Sequence, residues 1–174
     1  MSVIDDRDTI IGKTSEYLHW LTIPKQEFGN MPVCPFLDKE LRDNQLYIDI
    51  WYPHECSFMD IMESFLLSGK NSSLVVCPNT HTIDYSEVSR KDIQRQITDL
   101  LRKNPNTDYL KCMIFSPYED FEVAGIKTRS GAPYFLINVA PTKQLGKSHK
   151  DLTKTKYFDN FTDDEKSRLN VPKK

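Results

Sequence analysis

Alanine is unusually scarce in this chain: only Ala124, Ala132 and Ala140 occur among 174 residues. That deficit, beside many Asn, Lys and Ile, fits an AT-rich coding sequence, bacterial or viral, and says nothing about function. Long apolar runs are missing too, and no window approaches the roughly 18 residues of a membrane span. Charge of one sign is not in excess. The formal net charge is −2, which gives no global drive toward nucleic acid or an anionic membrane. The N-terminal "MSVIDDRDTIIGK" is too acidic and too broken for a secretory signal, so the expected location is cytoplasmic. The four cysteines, at 34, 56, 77 and 112, show no C-x-x-C spacing and no dense framework. Four free thiols are the expectation in a reducing compartment. A phosphate-binding P-loop is also missing. "LGKS" suggests one, but Pro141 stands five residues before Gly146, where that motif requires glycine. No motif names a cofactor.

What is present is enough for one soluble domain with a modest core: 39% hydrophobic and 28% charged residues. Ile10, Thr14, Tyr17, Leu18 and Leu21 recur at helical spacing and Pro24 stops the pattern, predicting a helix over about residues 6–21. Residues 24–44, with Gly29, Pro32 and Pro35, read as a loop centred on Cys34-Pro35-Phe36. "QLYIDIWYP" reads as a buried strand over 46–52. "SFMDIMESFLLSG" is the clearest helix, with Ser57 as cap, Asp60 at the capping-box position and Gly69 as stop. "SLVVCP" suits a central strand. "DYSEVSRKDIQRQITDLLRKN" reads as a second strong helix capped by Asp84, with Val88, Ile93, Ile97, Leu100 and Leu101 facing inward. "DYLKCMIFSP" is a third strand and "APYFLINVAP" a fourth, on an edge or giving way to a helix.

This order predicts an α/β or α+β fold with an N-terminal helix and a three- to four-stranded, partly parallel sheet covered by helices. Two consecutive βαβ units make the first three strands parallel neighbours. Residues 1–145 form the single globular domain. From 146 to 174 lysines crowd in and apolar residues thin out, which predicts a loosely packed tail with a short helix capped by Thr162 and Glu165.

Parallel strands end on one edge, where open α/β sheets bind ligands. The residues after each strand are rich in reactive groups: His54 and Cys56; Cys77 and His81; Ser116, Tyr118, Glu119 and Asp120. Three chemistries fit them. His54, Cys56, Cys77 and His81 supply two imidazoles and two thiolates suited to tetrahedral zinc; plain core cysteines are the simpler account. Cys34 is a candidate nucleophile with His54 or His81 as base, or else a rigid apolar plug. "GIKTRSGAP" places Lys127, Thr128, Arg129 and Ser130 between two glycines, where amides and a guanidinium can grip a small anion. The same stretch also fits an exposed basic hairpin tip. The lysine run 143–156 reads as a solvated surface, and nucleic acid as an unlikely partner.

The residues also resemble a known family. His19-Trp20-Leu21 and Val33-Cys34-Pro35-Phe36-Leu37 are similar to the Trp helix and "LNLCPFA" motif of the bacterial family catalogued as domain of unknown function 1415. The stretch 73–78 followed by Asp84-Tyr85 resembles its "TLLVHP" block, and 114–121 with 128–134 its "ASFHPxYQF … NRSPYP" block. The resemblance spans about residues 15–145. It implies that Cys34, Pro35, Phe36, Asp84, Tyr118 and Arg129 are retained site residues. Cys77 and Ser116 replace the two "HP" histidines, so whatever those do in the family is altered here. The family brings no established reaction. The expected function is therefore a pocket for a small anionic ligand at the strand edge, with Cys34 and Arg129 as the candidates for any catalysis. The alternatives are a non-catalytic interaction or accessory protein and a zinc-binding protein.

Overall fold

The computed structural model describes residues 4–171. Helix α1 (Arg7–Thr22) starts where the Asp6 carboxylate accepts the Thr9 amide at 2.8 Å, and it ends before Pro24, whose ring disfavours a helical predecessor. A two-stranded antiparallel ribbon follows, β1 (Pro24–Lys25) and β2 (Met31–Pro32), around a 3-10 turn, Gln26–Phe28. Then comes α2 (Pro35–Arg42), inside the segment expected to be loop. Proline opens this helix because the first turn leaves its missing N–H unneeded, and Asp38 early with Arg42 late suits the dipole. Cys34 is thus a helix N-cap residue and no longer the middle of a loop.

Strand β3 (Leu46–Ile50) leads to α3 (Phe58–Leu67), where Ser57 and Asp60 form the expected capping box. Strand β4 (Ser72–Cys77) follows, buried at every residue. Asp84 caps only a 3-10 turn, Tyr85–Glu87, and Ser89 caps the helix proper, α4 (Arg90–Lys103). Leu100, expected inside, faces solvent. The chain continues through β5 (Leu110–Phe115), a hairpin of β6 (Glu122–Val123) and β7 (Ile126–Lys127), and β8 (Phe135–Pro141). It finishes with α5 (Thr142–Leu152) and α6 (Asp163–Arg168), the latter with the expected Thr162/Glu165 box.

The fold is mixed α/β, with one four-stranded sheet ordered β3-β4-β8-β5. β3 and β4 are parallel, whereas β8 runs antiparallel to both β4 and β5. The first three strands therefore share a direction but are not all neighbours: β8 separates β4 from β5. The reason is burial. "FLINVA" is apolar almost throughout and covered on both faces, so it takes a centre position, while β3 exposes Ile48 and serves as an edge. Alternation along the strands then sorts the core into two layers. Leu74, Val76 and Leu136 face α1 and α2; Val75, Cys77, Phe135, Ile137 and Val139 face α3 and α4.

The segment after residue 145 is not loosely packed. Tyr157, Phe158 and Phe161 are buried in the first layer, with Phe28 centred 5.2 Å from Tyr157 and 5.4 Å from Phe161. Burying each such ring contributes on the order of 2–3 kcal/mol. Gly29 admits this packing, since a Cβ there would stand 2.6 Å from the Lys156 carbonyl oxygen.

Candidate functional site

Because β3, β4 and β5 run the same way, their C-terminal ends share one edge of the sheet. β8 enters at that edge, with Phe135 opposite Cys77 and Leu136 opposite Phe115. The loop carrying Arg129 precedes β8, so topology delivers it to the edge where the other strands end.

Arg129 is held by its neighbours in sequence. The Tyr17 hydroxyl donates to the Thr128 carbonyl at 2.7 Å, and the Ser130 hydroxyl donates to the Phe121 carbonyl at 2.9 Å. Gly131 closes the turn, since a Cβ there would meet the Lys127 oxygen at 2.8 Å. The guanidinium stacks on Phe121, 4.6 Å from the ring centroid. Cys34, Tyr17 and Tyr157 are near enough to act on its charge, as is Arg90, a second positive charge. Among the described residues no carboxylate pairs with Arg129; the carboxylate at hand, Glu119, accepts from Arg90 Nε at 2.6 Å. Burial, and next the Arg90 charge, pull the Arg129 pKa down, while the thiol and phenols oppose that shift. The result is a partly buried, tethered cation within electrostatic reach of another cation.

Cys34 is within electrostatic reach of this cation. Burial pushes its thiol pKa up; the Leu37 amide, Arg129 and the Phe36 amide pull the other way. The balance leaves a neutral thiol at neutral pH. Neither expected base is among the groups acting on it. His54 is exposed and lies 3.6 Å from Glu55, and His81 is exposed in the loop after β4. The Cys–His pairing needed for an activated nucleophile is not assembled. Cys34 and Tyr17 also line a narrow apolar crevice of about 10 Å³ between α1, α2 and the sheet. That is space for one water at most.

Tyr118 and Asp84 form a separate group, joined through Asn79. Asn79 donates to Asp84 at 3.0 Å and accepts from the Tyr85 amide at 2.8 Å and from the Tyr118 hydroxyl at 3.4 Å. Asp84 also accepts from the Ser86 amide and hydroxyl, and those bonds hold its pKa below the usual carboxylate range. All three bonds fall on its Oδ1, which shapes the turn. Lys127 is exposed on β7, off the tip of the hairpin, which is Ala124-Gly125.

The proposed zinc ligands do not converge. Among the described residues no three His, Cys, Asp or Glu side chains form a group able to hold a metal ion. Cys77 points into the layer under α3 and α4, where burial pushes its thiol up to about 12. Cys56 packs at the border of the same layer, and both histidines face water.

Sequence reasoning missed four residues that build the site. Tyr17 read as an apolar position of the first helix, Tyr157 as tail, Phe121 only as part of the resembling block 114–121, and Arg90 was not singled out. The signal for Tyr157 was the aromatic cluster "YFDNF", too apolar for a solvated tail. A wider cleft, about 450 Å³, lies elsewhere, between Glu27, Gly125 and Glu165. Its polar walls are already engaged, Asn160 with the Gln26 and Glu27 carbonyls and Glu165 with the Ala124 and Thr162 amides. Volume alone does not mark a site.

Compared with family models, curated proteins and solved structures, the chain matches none.

Proposed function

We propose that the chain is a cytoplasmic binding protein for a small anionic ligand, held by Arg129 at the edge where β4 and β5 end and β8 begins. The observation that carries this reading is the guanidinium itself. A cation withdrawn from water without a counter-charge costs several kcal/mol, and chains retain such groups where an anion is to be met. Arg129 is immobilised on Phe121 and tethered on both sides, so little entropy remains to be lost on binding. Binding without turnover is favoured, because the neighbouring thiol is neutral and has no base beside it. Four free cysteines support a reducing location, and no described helix is long and apolar enough to cross a membrane. The resemblance to the domain 1415 family is carried within the same reading, since Cys34, Phe36 and Arg129 are the residues it retains here.

Calorimetric titration of the intact chain with inorganic phosphate, acetate and pyruvate tests the proposal. At least one should bind, and Arg129→Met should weaken it tenfold or more while Lys127→Met changes little. Equal affinity in wild type and Arg129→Met would overturn it, as would no binding by any anion.

A further inference from the structure

The lysine run that read as a solvated surface folds into something more ordered. Lys143, Lys147 and Lys150 lie in α5 at spacings of four and three. At 3.6 residues per turn they fall within an arc of about 60° and span about 10 Å of helix axis. All three are exposed, and among the described residues none makes an ion pair. The opposite side of α5 is the packed one. Gln144 donates to Glu40 at 2.8 Å, the His149 ring lies 5.6 Å from Phe158, and Leu152 packs on the core. Lys154 follows in the next turn, paired with Asp151 at 2.8 Å.

This stripe begins next to the backbone of an exposed tyrosine. The first residue of α5, Thr142, bonds the Tyr109 carbonyl through both its amide (3.1 Å) and its hydroxyl (3.0 Å). Tyr109 is 50% exposed, an unusual loss of buried apolar area for a tyrosine. Two residues on, Lys111 is the exposed position of β5, on the free edge of the sheet. The carboxylates nearby in the chain are Asp108, adjacent to Tyr109, and Asp151, which is neutralised by Lys154.

We infer that α5 and the start of β5 form a docking surface for single-stranded nucleic acid, with phosphates along Lys143, Lys147, Lys150 and Lys111 and a base stacked on Tyr109. Charge complementarity requires a polyanion, and the exposed ring selects one with π-faces over an acidic peptide or a lipid surface. The net charge of −2 removes long-range attraction, so binding is local and salt-sensitive. Three to four neutralised phosphates give a slope of log K against log salt of about −2 to −3 for a single strand.

Fluorescence anisotropy of the full chain with a labelled thymidine oligonucleotide of about 12 nucleotides tests this. Binding is expected at about 50 mM salt, with that slope. The combined Lys143→Gln, Lys147→Gln, Lys150→Gln variant should bind at least tenfold more weakly and with a slope nearer zero. Tyr109→Ala should weaken binding about tenfold and leave the slope unchanged. Arg129→Met should bind normally, which separates this surface from the anion pocket. No binding at low salt overturns the inference. So does equal binding by the triple variant, or equal affinity for a duplex of the same length, for polyglutamate or for phosphatidylserine vesicles.

Discussion

Replacing Arg129 with methionine should make the ligand-free protein more stable. Methionine keeps most of the side chain's apolar length and can still contact Phe121, but it carries no charge to desolvate. The desolvation cost of a largely buried cation, after relaxation, is several kcal/mol. Against it stands the stacking of the guanidinium on Phe121, worth about 1–2 kcal/mol when desolvated. The repulsion from Arg90 adds to the cost. The balance favours the variant by about 1–2 kcal/mol, which for a chain of this size raises Tm by roughly 2–8 °C. Urea denaturation at neutral pH, with thermal unfolding alongside, measures it. Arg129→Lys is the control: it keeps the charge, loses the planar stacking and should be no more stable than wild type. Saturating anion should reverse the order, since a ligand that binds only the folded wild type adds RT ln(1 + [L]/Kd). A loss of 1 kcal/mol or more in ligand-free Arg129→Met would refute the reasoning, because it would mean that the guanidinium is a satisfied structural group.

Three further outcomes follow from the same geometry. Glu119→Gln removes the carboxylate that occupies Arg90, so anion affinity at Arg129 should rise several-fold in calorimetry; unchanged affinity would place Arg90 outside the site. Tyr157→Phe deletes the hydroxyl that donates to the buried Val33 carbonyl, and should cost about 1–2 kcal/mol in urea denaturation. Cys77 has a folded pKa of about 12 against 9.0 ordinarily, so the folded state holds its proton more tightly. Its contribution is therefore fully present below pH 9 and is lost as pH rises from 9 toward 12. Cys77→Val should flatten that alkaline decline in pH-dependent unfolding, and an identical decline in both proteins would show that the thiol stays protonated in neither or both states.

Local signals in the sequence carried the elements whose ends are written in side chains. Ser57 with Asp60 and Thr162 with Glu165 cap as their spacing predicts, because a cap is an interaction across three residues. Helix α2 was hidden by the two prolines around Cys34, although one of them is at the first helical position, where proline is favoured. The insertion of β8 between β4 and β5 was invisible for a different reason. Strand order is decided by which run best tolerates cover on both faces, and that is a comparison across the whole chain. At the site, Arg129 was legible from its loop. Tyr17 and Tyr157 were not, since each acts on a backbone carbonyl more than 100 residues away in sequence.

The last strand to be synthesised is the one that joins the sheet. Until residues 135–141 leave the ribosome, β3 and β4 can pair with each other, but β5 has no partner, and β4 and β5 both present open hydrogen-bonding edges. Sheet completion is thus a long-range event, slow to find and exposed to intermolecular pairing while it waits. The loop that carries Arg129 is fixed at its far end by that same strand, so the guanidinium has no fixed place until β8 docks, and Tyr157 arrives later still. A chain ending before β8 would keep α1 to α4 but lack α5, α6 and the Tyr157 cluster, together with the strand that fixes the Arg129 loop.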